Sequence, residues 1–285
     1  MGKKGKKALA GRPSKKIINK LLDALVTNIE EELRSSDHFA PLPSTEDCNI
    51  CLVPMPRDMI KARHMTCCGK GICYACGIEN ERVVIKQNEI KAAKNQEAIE
   101  HMCPFCREPG PFEDDHIQQL ETMASLGNHW AYFELAVEYS GGHSIAKDKV
   151  KSLECLIRAA ELGSADACVS IASHCKKGLV IAADDDKCIL FYRAAALRGD
   201  LIAHHKIGCL EYDSENYELG IRHWKFAAEH GNQLSVNSLR NIYNATEKIP
   251  GKEFISKECM DKVYRASFAA QEEVYSEARE KYLNN

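Results

Sequence analysis

No stretch of the sequence approaches the ~20 consecutive apolar residues that cross a bilayer. The first residues are lysine-rich where a secretory leader would need an apolar run. The expectation is a soluble intracellular chain, cytoplasmic or nuclear, with no membrane span. Met1-Gly2 is followed by Lys6 where an N-myristoylation site favours Ser or Thr, so a lipid anchor is a poor match. No Ser-His-Asp set, phosphate-binding glycine loop or His-Glu-x-x-His pattern is present, which removes the common hydrolase, nucleotidase and metalloprotease signatures. Acidic residues are missing from the first 20 positions, which hold eight Lys and Arg; the net charge of -3 therefore leaves about -11 on residues 21–285. A basic end of this kind reads as a solvated, disordered arm, residues 1–13, and nucleic acid is not an expected partner.

The 285 residues, 45% hydrophobic and 28% charged, suffice for about two folded domains. Cysteine is the anomaly: 14 in all, eight of them between Cys48 and Cys106. The cytosol keeps thiols reduced, so closely spaced pairs there point to metal rather than to disulfides.

Apolar residues at Ile17, Ile18, Leu21, Leu22, Leu25, Val26, Ile29 and Leu33 recur every three or four positions and predict one amphipathic helix over 14–36, starting near Ser14 and docking on its own protein. Residues 37–46, with Pro41 and Pro43, read as a linker.

Beyond Pro111 the composition turns to Ala, Leu, Glu and Lys, and a repeat emerges at Leu126-Gly127-Asn128, Leu162-Gly163-Ser164, Arg198-Gly199-Asp200 and His230-Gly231-Asn232. The glycines are 36, 36 and 32 residues apart, and alanine pairs (159–160, 195–196, 227–228) precede the last three. Glycine accepts the left-handed conformation that ends a helix, and the Asn, Ser or Asp after it caps the next one. Leu135, Ile171 and Ile207, each four residues after Ala131, Ala167 and Ala203, are the expected large core side chains. A helical hairpin cannot bury its apolar face alone, so the units stack. The period and these positions resemble Sel-one-like repeats, relatives of the tetratricopeptide repeat, over 128 to about 243. The second unit is degenerate, with Cys175 in place of the tyrosine, and the third has a shortened turn around Asp213 to Asn216. The other cysteines (Cys155, Cys168, Cys175, Cys188, Cys209, Cys259), with His204 and His205, read as packing residues. The resemblance implies a protein-binding surface, with a substrate or adaptor as partner.

The cysteine cluster reads Cys48-x-x-Cys51, Cys67-Cys68, Cys73-x-x-Cys76 and Cys103-x-x-Cys106. Eight thiolates match two tetrahedral zinc ions, and four-thiolate sites are closed and structural. Spacing alone leaves sequential and interleaved pairing open. A thioredoxin-like reading of Cys73-x-x-Cys76 is set aside because the segment shows no strand and helix around it.

Cys-Asn-Ile-Cys at 48–51, Cys-Cys-Gly-Lys-Gly-Ile-Cys at 67–73 and Cys-Pro-Phe-Cys-Arg at 103–107 resemble RING fingers. The resemblance implies a cross-brace, with Cys48, Cys51, Cys73 and Cys76 on one zinc and Cys67, Cys68, Cys103 and Cys106 on the other. The family's usual histidine ligand is replaced by Lys70, and Cys68 takes its place as in the all-cysteine variant; His64 and His101 are the competing ligands. Lys61, Arg63, Lys70 or Arg107 would offset the thiolate charge. Residues 77–102 form a long, helical insertion. RING fingers act as ubiquitin ligases, which implies that Ile50 and Pro104 contact a ubiquitin-conjugating enzyme and that Arg107 bridges it to ubiquitin.

The resulting expectation is a mainly α protein: a small zinc-bound RING cross-brace domain (47–112), then a short α-solenoid of helical-hairpin repeats (113–250) and a C-terminal capping helix (251–285). Its function would be that of a RING-type ubiquitin ligase recruiting substrate through the repeats; the alternative is a non-enzymatic zinc-stabilised adaptor.

Overall fold

The computed structural model describes residues 13–55, 62–65, 67–94, 96–97, 102–106, 113–142, 144–178, 180–245 and 249–273. The chain divides into two compact units, each assembled from two separate stretches: Met1–Ser35 with Pro111–Ala194, and Ser36–Gly110 with Ala195–Asn285.

The first unit opens with α1 (Lys15–Arg34), capped by Ser14, whose Oγ accepts the amide of Ile17. Of the apolar stripe, Ile18, Leu22, Leu25 and Ile29 are buried, and they fall on one face at helical spacing. Helix α1 packs against α5 (Lys149–Glu161) and is tied to α7 (Asp185–Leu197) by a Lys187–Asp23 ion pair of 3.2 Å. The same unit contains α3 (Glu113–Ser125), α4 (His129–Gly141) and α6 (Ala165–Lys177). Helices α4 and α5 form a hairpin whose interior includes a buried bond from Ser152 Oγ to the Ala136 carbonyl at 2.8 Å.

The second unit contains α8 (Leu201–Asp213), α9 (Tyr217–Glu229), α10 (Gln233–Asn244), a 3-10 turn at Lys252–Phe254 and α11 (Lys257–Glu273), together with the cysteine-rich segment. Ile221, Trp224, Val236, Leu239, Ile255, Met260 and Val263 form its apolar centre. Helices α8 and α9 approach most closely at Gly208 and Gly220. A Cβ on Gly208 would lie 2.5 Å from Trp224 Cδ1 and 2.9 Å from the Gly220 carbonyl, so no side chain fits between them.

The repeated corner is built alike in both units. Gly127, Gly163, Gly199 and Gly231 have φ between 83° and 98°, and the following Asn128, Ser164, Asp200 and Asn232 cap α4, α6, α8 and α10 through their side chains. Backbone carbonyls at the alanine pairs close the preceding helix. The Gly163 and Ser164 amides bond the carbonyls of Ala160 and Ala159 at 3.0 Å each, and the same pattern recurs at Ala195-Ala196 and Ala227-Ala228. This closes the helix end as a Schellman motif. Ala131, Leu135, Ala167, Ile171, Ala203 and Ile207 are all buried, as are Cys155, Cys168, Cys175 and Cys188; Cys209 and Cys259 are half-buried. The turn from α8 to α9 spans only Ser214 to Asn216, with Glu215 at φ 66°, which accounts for the shorter third period. No helix among the described residues is long and apolar enough to cross a membrane.

Candidate metal centre

A two-stranded antiparallel hairpin frames the cysteine-rich segment, with β1 (Ala62–His64) paired to β2 (Gly71–Cys73) in the register Ala62 to Cys73, Arg63 to Ile72 and His64 to Gly71. Gly69, at φ 72°, closes the tight turn between the strands, where its amide bonds the Met65 carbonyl at 2.7 Å. That turn presents Cys67 and Cys68. At about 3.3 Å of rise per strand residue, β2 carries Cys73 to the opposite end of the hairpin. Helix α2 (Tyr74–Ala93) starts immediately after Cys73, so Cys73 and Cys76 share a strand-to-helix junction. The first pair sits on its own turn: the Cys48 amide bonds the Val53 carbonyl, and Asn49 fastens the turn to β2 through Nδ2 to the Gly71 carbonyl at 2.9 Å.

The eight thiols gather as two groups of four. Cys48, Cys51, Cys73 and Cys76 form one, Cys67, Cys68, Cys103 and Cys106 the other, and within each group every sulfur lies within 4.8 Å of the rest. The hairpin is the physical reason for this interleaving, because it places the second and third pairs at its two ends. Sulfur–sulfur separations include 4.0 Å for Cys51–Cys73, 3.7 Å for Cys68–Cys103 and 3.3 Å for Cys67–Cys106. Four sulfurs at about 2.3 Å from one zinc would sit about 3.8 Å apart in a tetrahedron, so both groups have the dimensions and donor chemistry to hold such an ion.

Electrostatics in the two groups run in parallel. Burial raises the Cys48 thiol, but amides of Cys51, Cys73 and Ile50 outweigh it and bring it down to about 7. Burial likewise raises the Cys103 thiol, but the amides of Cys106 and Phe105, with the Cys67 and Cys106 side chains, outweigh it and bring it down to about 7. Cys51, Cys67, Cys68 and Cys76 are pushed up, first by burial and then, among other causes, by neighbouring sulfurs. Thiolates crowded together repel, and a divalent cation among them reverses that cost.

Lys70, in the place of the family's histidine, lays its Nζ 5.0 Å from the Phe105 ring centroid. Ile50 is 43% exposed and neighbouring Leu52 75% exposed, while Pro104 is half-buried. His64 stands in β1, half-buried, beside Gly71, and is not a member of either sulfur group. Arg107, His101, Lys61 and residues 1–12 lie outside the described residues. One expectation is corrected: Cys73-x-x-Cys76 does have a strand before it and a helix after it. What separates it from a redox pair is instead that Cys48 and Cys51 share its sulfur cluster. The helix expected in the 77–102 insertion is present but begins earlier, at Tyr74.

Sequence reasoning missed the packing around Phe39. This linker residue lies under the Arg222 guanidinium at 3.9 Å and against His223 at 4.8 Å, and His223 shares an Nδ1–Nδ1 contact of 3.1 Å with fully buried His204. The only sequence signal is an aromatic residue isolated in a polar, proline-containing stretch.

The Sel1 repeat family model matches residues 131–164, 165–200 and 203–232. No RING or zinc-finger family model matches, and no curated protein matches the chain. Among solved structures, a Sel1 repeat protein from Oxalobacter formigenes is 23% identical over 45% of this chain and 98% of its own, with a TM-score of 0.42. A protective antigen of uropathogenic Escherichia coli displaying an SLR fold is 19% identical over 57% of this chain, with a TM-score of 0.48; the chain spans 35% of its length. An immunity protein from Pseudomonas aeruginosa is 14% identical over 55% of this chain and 74% of its own, with a TM-score of 0.34. The chain is thus mainly helical and carries three Sel1 repeats, a type of repeat suited to protein–protein interaction.

Proposed function

We propose that the chain is a RING-type ubiquitin ligase that binds two structural zinc ions, holds a ubiquitin-charged conjugating enzyme on its cysteine-rich segment and recruits a protein substrate through its repeats. The observation that carries this reading is the interleaving of the eight thiols, first pair with third and second with fourth. Closed four-thiolate sites supply no open coordination position, so the ions would stiffen the segment and leave the reaction to positioning. By the RING resemblance, Ile50 and Pro104 would touch the conjugating enzyme, and the exposure of Ile50 suits that contact. Arg107 would bridge enzyme and ubiquitin, a role that fits the fixed fork of donors on a guanidinium.

Self-ubiquitination of the purified, zinc-loaded chain against a panel of conjugating enzymes tests the reading. Activity that falls at least tenfold in Ile50→Ala and Arg107→Ala supports it. A loaded parent that is inactive with every enzyme overturns it in favour of a zinc-stabilised adaptor.

A further inference from the structure

The end of α3 and the hairpin of α4 and α5 enclose a cleft of about 440 Å³. Tyr132 and Tyr139 of α4 line it on one side. Lys151, Glu154, Arg158 and Glu161 of α5 line it on the other, spaced three or four residues apart and so on one stripe. Its volume lies in the range of ligand sites, and its lining combines aromatic surface with a few charged groups.

The four charges are not equivalent. Arg158 Nη1 bonds Glu161 at 2.8 Å. Lys151 reaches Tyr139 and places its ammonium 5.3 Å from the ring centroid, so the aromatic wall already holds one cation of the chain's own. Glu154, by contrast, makes no hydrogen bond or ion pair among the described residues. Burial raises its carboxyl above the ordinary range even though Arg158 and Lys151 pull it down. The Tyr139 hydroxyl is raised too, by burial first and then by the charges of Cys155, Glu121, Asp148 and Glu154. Of the two carboxylates in the cleft, Glu161 is already bonded to Arg158 while Glu154 has no bonded partner, so Glu154 is the group that an arriving cation can meet. An anion would meet two carboxylates and would compete with Glu161 for Arg158.

We propose that this cleft receives a lysine or arginine side chain from an extended segment of a partner protein, with Glu154 as its counter-charge and Tyr132 and Tyr139 as its walls. The inference deepens the recruiting role proposed for the repeats and rests on that role alone, independently of the metal centres. The arriving cation pairs with Glu154 and takes the place of Lys151 on the Tyr139 face, while Lys151 swings on its flexible stem into water. The net charge of the full chain, -3, does not oppose the approach of a basic segment.

The test is fluorescence anisotropy of the full chain with three labelled peptides of equal length: arginine–glycine, glutamate–glycine and serine–glycine. The arginine peptide is expected to bind best. Glu154→Gln should weaken it about tenfold, the scale of a lost charge-assisted bond, and Lys151→Met should strengthen it, a gain that misfolding cannot produce. Glu30→Gln and Lys20→Met, at exposed positions on α1, give the effect of bulk charge alone. If the Glu154 and Lys151 variants shift binding no more than these controls, the proposed site is wrong. Preference for the glutamate or serine peptide overturns the cation specificity and leaves recruitment standing; no binding by any of the three overturns both.

Discussion

In the cysteine-rich segment the buried apolar cluster comprises Cys48, Ile72, Cys73, Ala75 and Cys76, so three of its five members are thiols. The cluster around α9, α10 and α11 buries nine residues, among them Trp224, Leu239, Met260 and Val263, and no cysteine. A segment with so little apolar material cannot offset its conformational entropy by burial, and it needs cross-links of another kind. The repeats need none, because within each unit packed helices such as α4 with α5 and α8 with α9 cover one another's apolar faces, and each repeated corner closes its own backbone bonds. The same residue type therefore has opposite duties: at Cys73 it belongs to a sulfur cluster, while at Cys168 it is a small core side chain.

The largest effect should come from removing the zinc ions proposed for the two thiol groups. Structural zinc contributes about 10–16 kcal/mol in small zinc domains, as much as the whole stability of an ordinary domain. A chelator, or Cys73→Ser, is expected to abolish hydrogen-exchange protection of amides 62–76 while α5 and α9 keep theirs. Unchanged protection at 62–76 would show that this segment holds itself together as the repeats do.

Within the repeats, Gly208→Ala should cost about 1–3 kcal/mol or more in urea unfolding, because the added methyl meets Trp224 and the Gly220 carbonyl. Gly127→Ala has open space around it and only a positive φ to resist, so about 1 kcal/mol is expected. Equal losses would mean that backbone conformation, rather than close helix approach, dominates both.

A pH dependence should follow from His204, which burial, then the charges of His38 and His230, hold at about 4 instead of the ordinary 6.5. The folded state keeps it neutral, and the unfolded chain takes up a proton as pH drops below 6.5. Stability is therefore unaffected above that value and falls between pH 6.5 and 4, by about 3 kcal/mol in full. His174 and His205, also lowered by burial, act in the same direction. The urea midpoint of His204→Gln should decline less steeply over this interval than that of the parent. The smallest change is expected from Asp23→Asn: Asp23 is 66% exposed in its pair with Lys187, and the loss should cost under about 1 kcal/mol.

Local rules were enough to read the repeat corners, since the glycine, the cap after it and the core positions four residues on are all set by backbone geometry. Ser14 as the start of α1 was legible for the same reason. The thiol grouping was not legible from spacing, because it depends on a hairpin only three residues long on each side. Such strands have no alternating pattern long enough to detect, and the same shortness hid the strand before Cys73-x-x-Cys76. The Phe39 contacts and the Glu154 cleft bring together residues distant in sequence or a volume between helices, neither of which any window of sequence contains.

The seating of α1 on α5 has a temporal side. Residues 15–34 leave the ribosome with their apolar stripe complete, yet the helix that covers it begins at Lys149, about a hundred residues later. At about 5–20 residues per second, Leu22 and Leu25 wait on the order of ten seconds for their neighbour while the cysteine-rich stretch is synthesised in between. During that interval the emerging chain carries an apolar stripe, Ile18, Leu22, Leu25 and Ile29, that its partner helix does not yet cover.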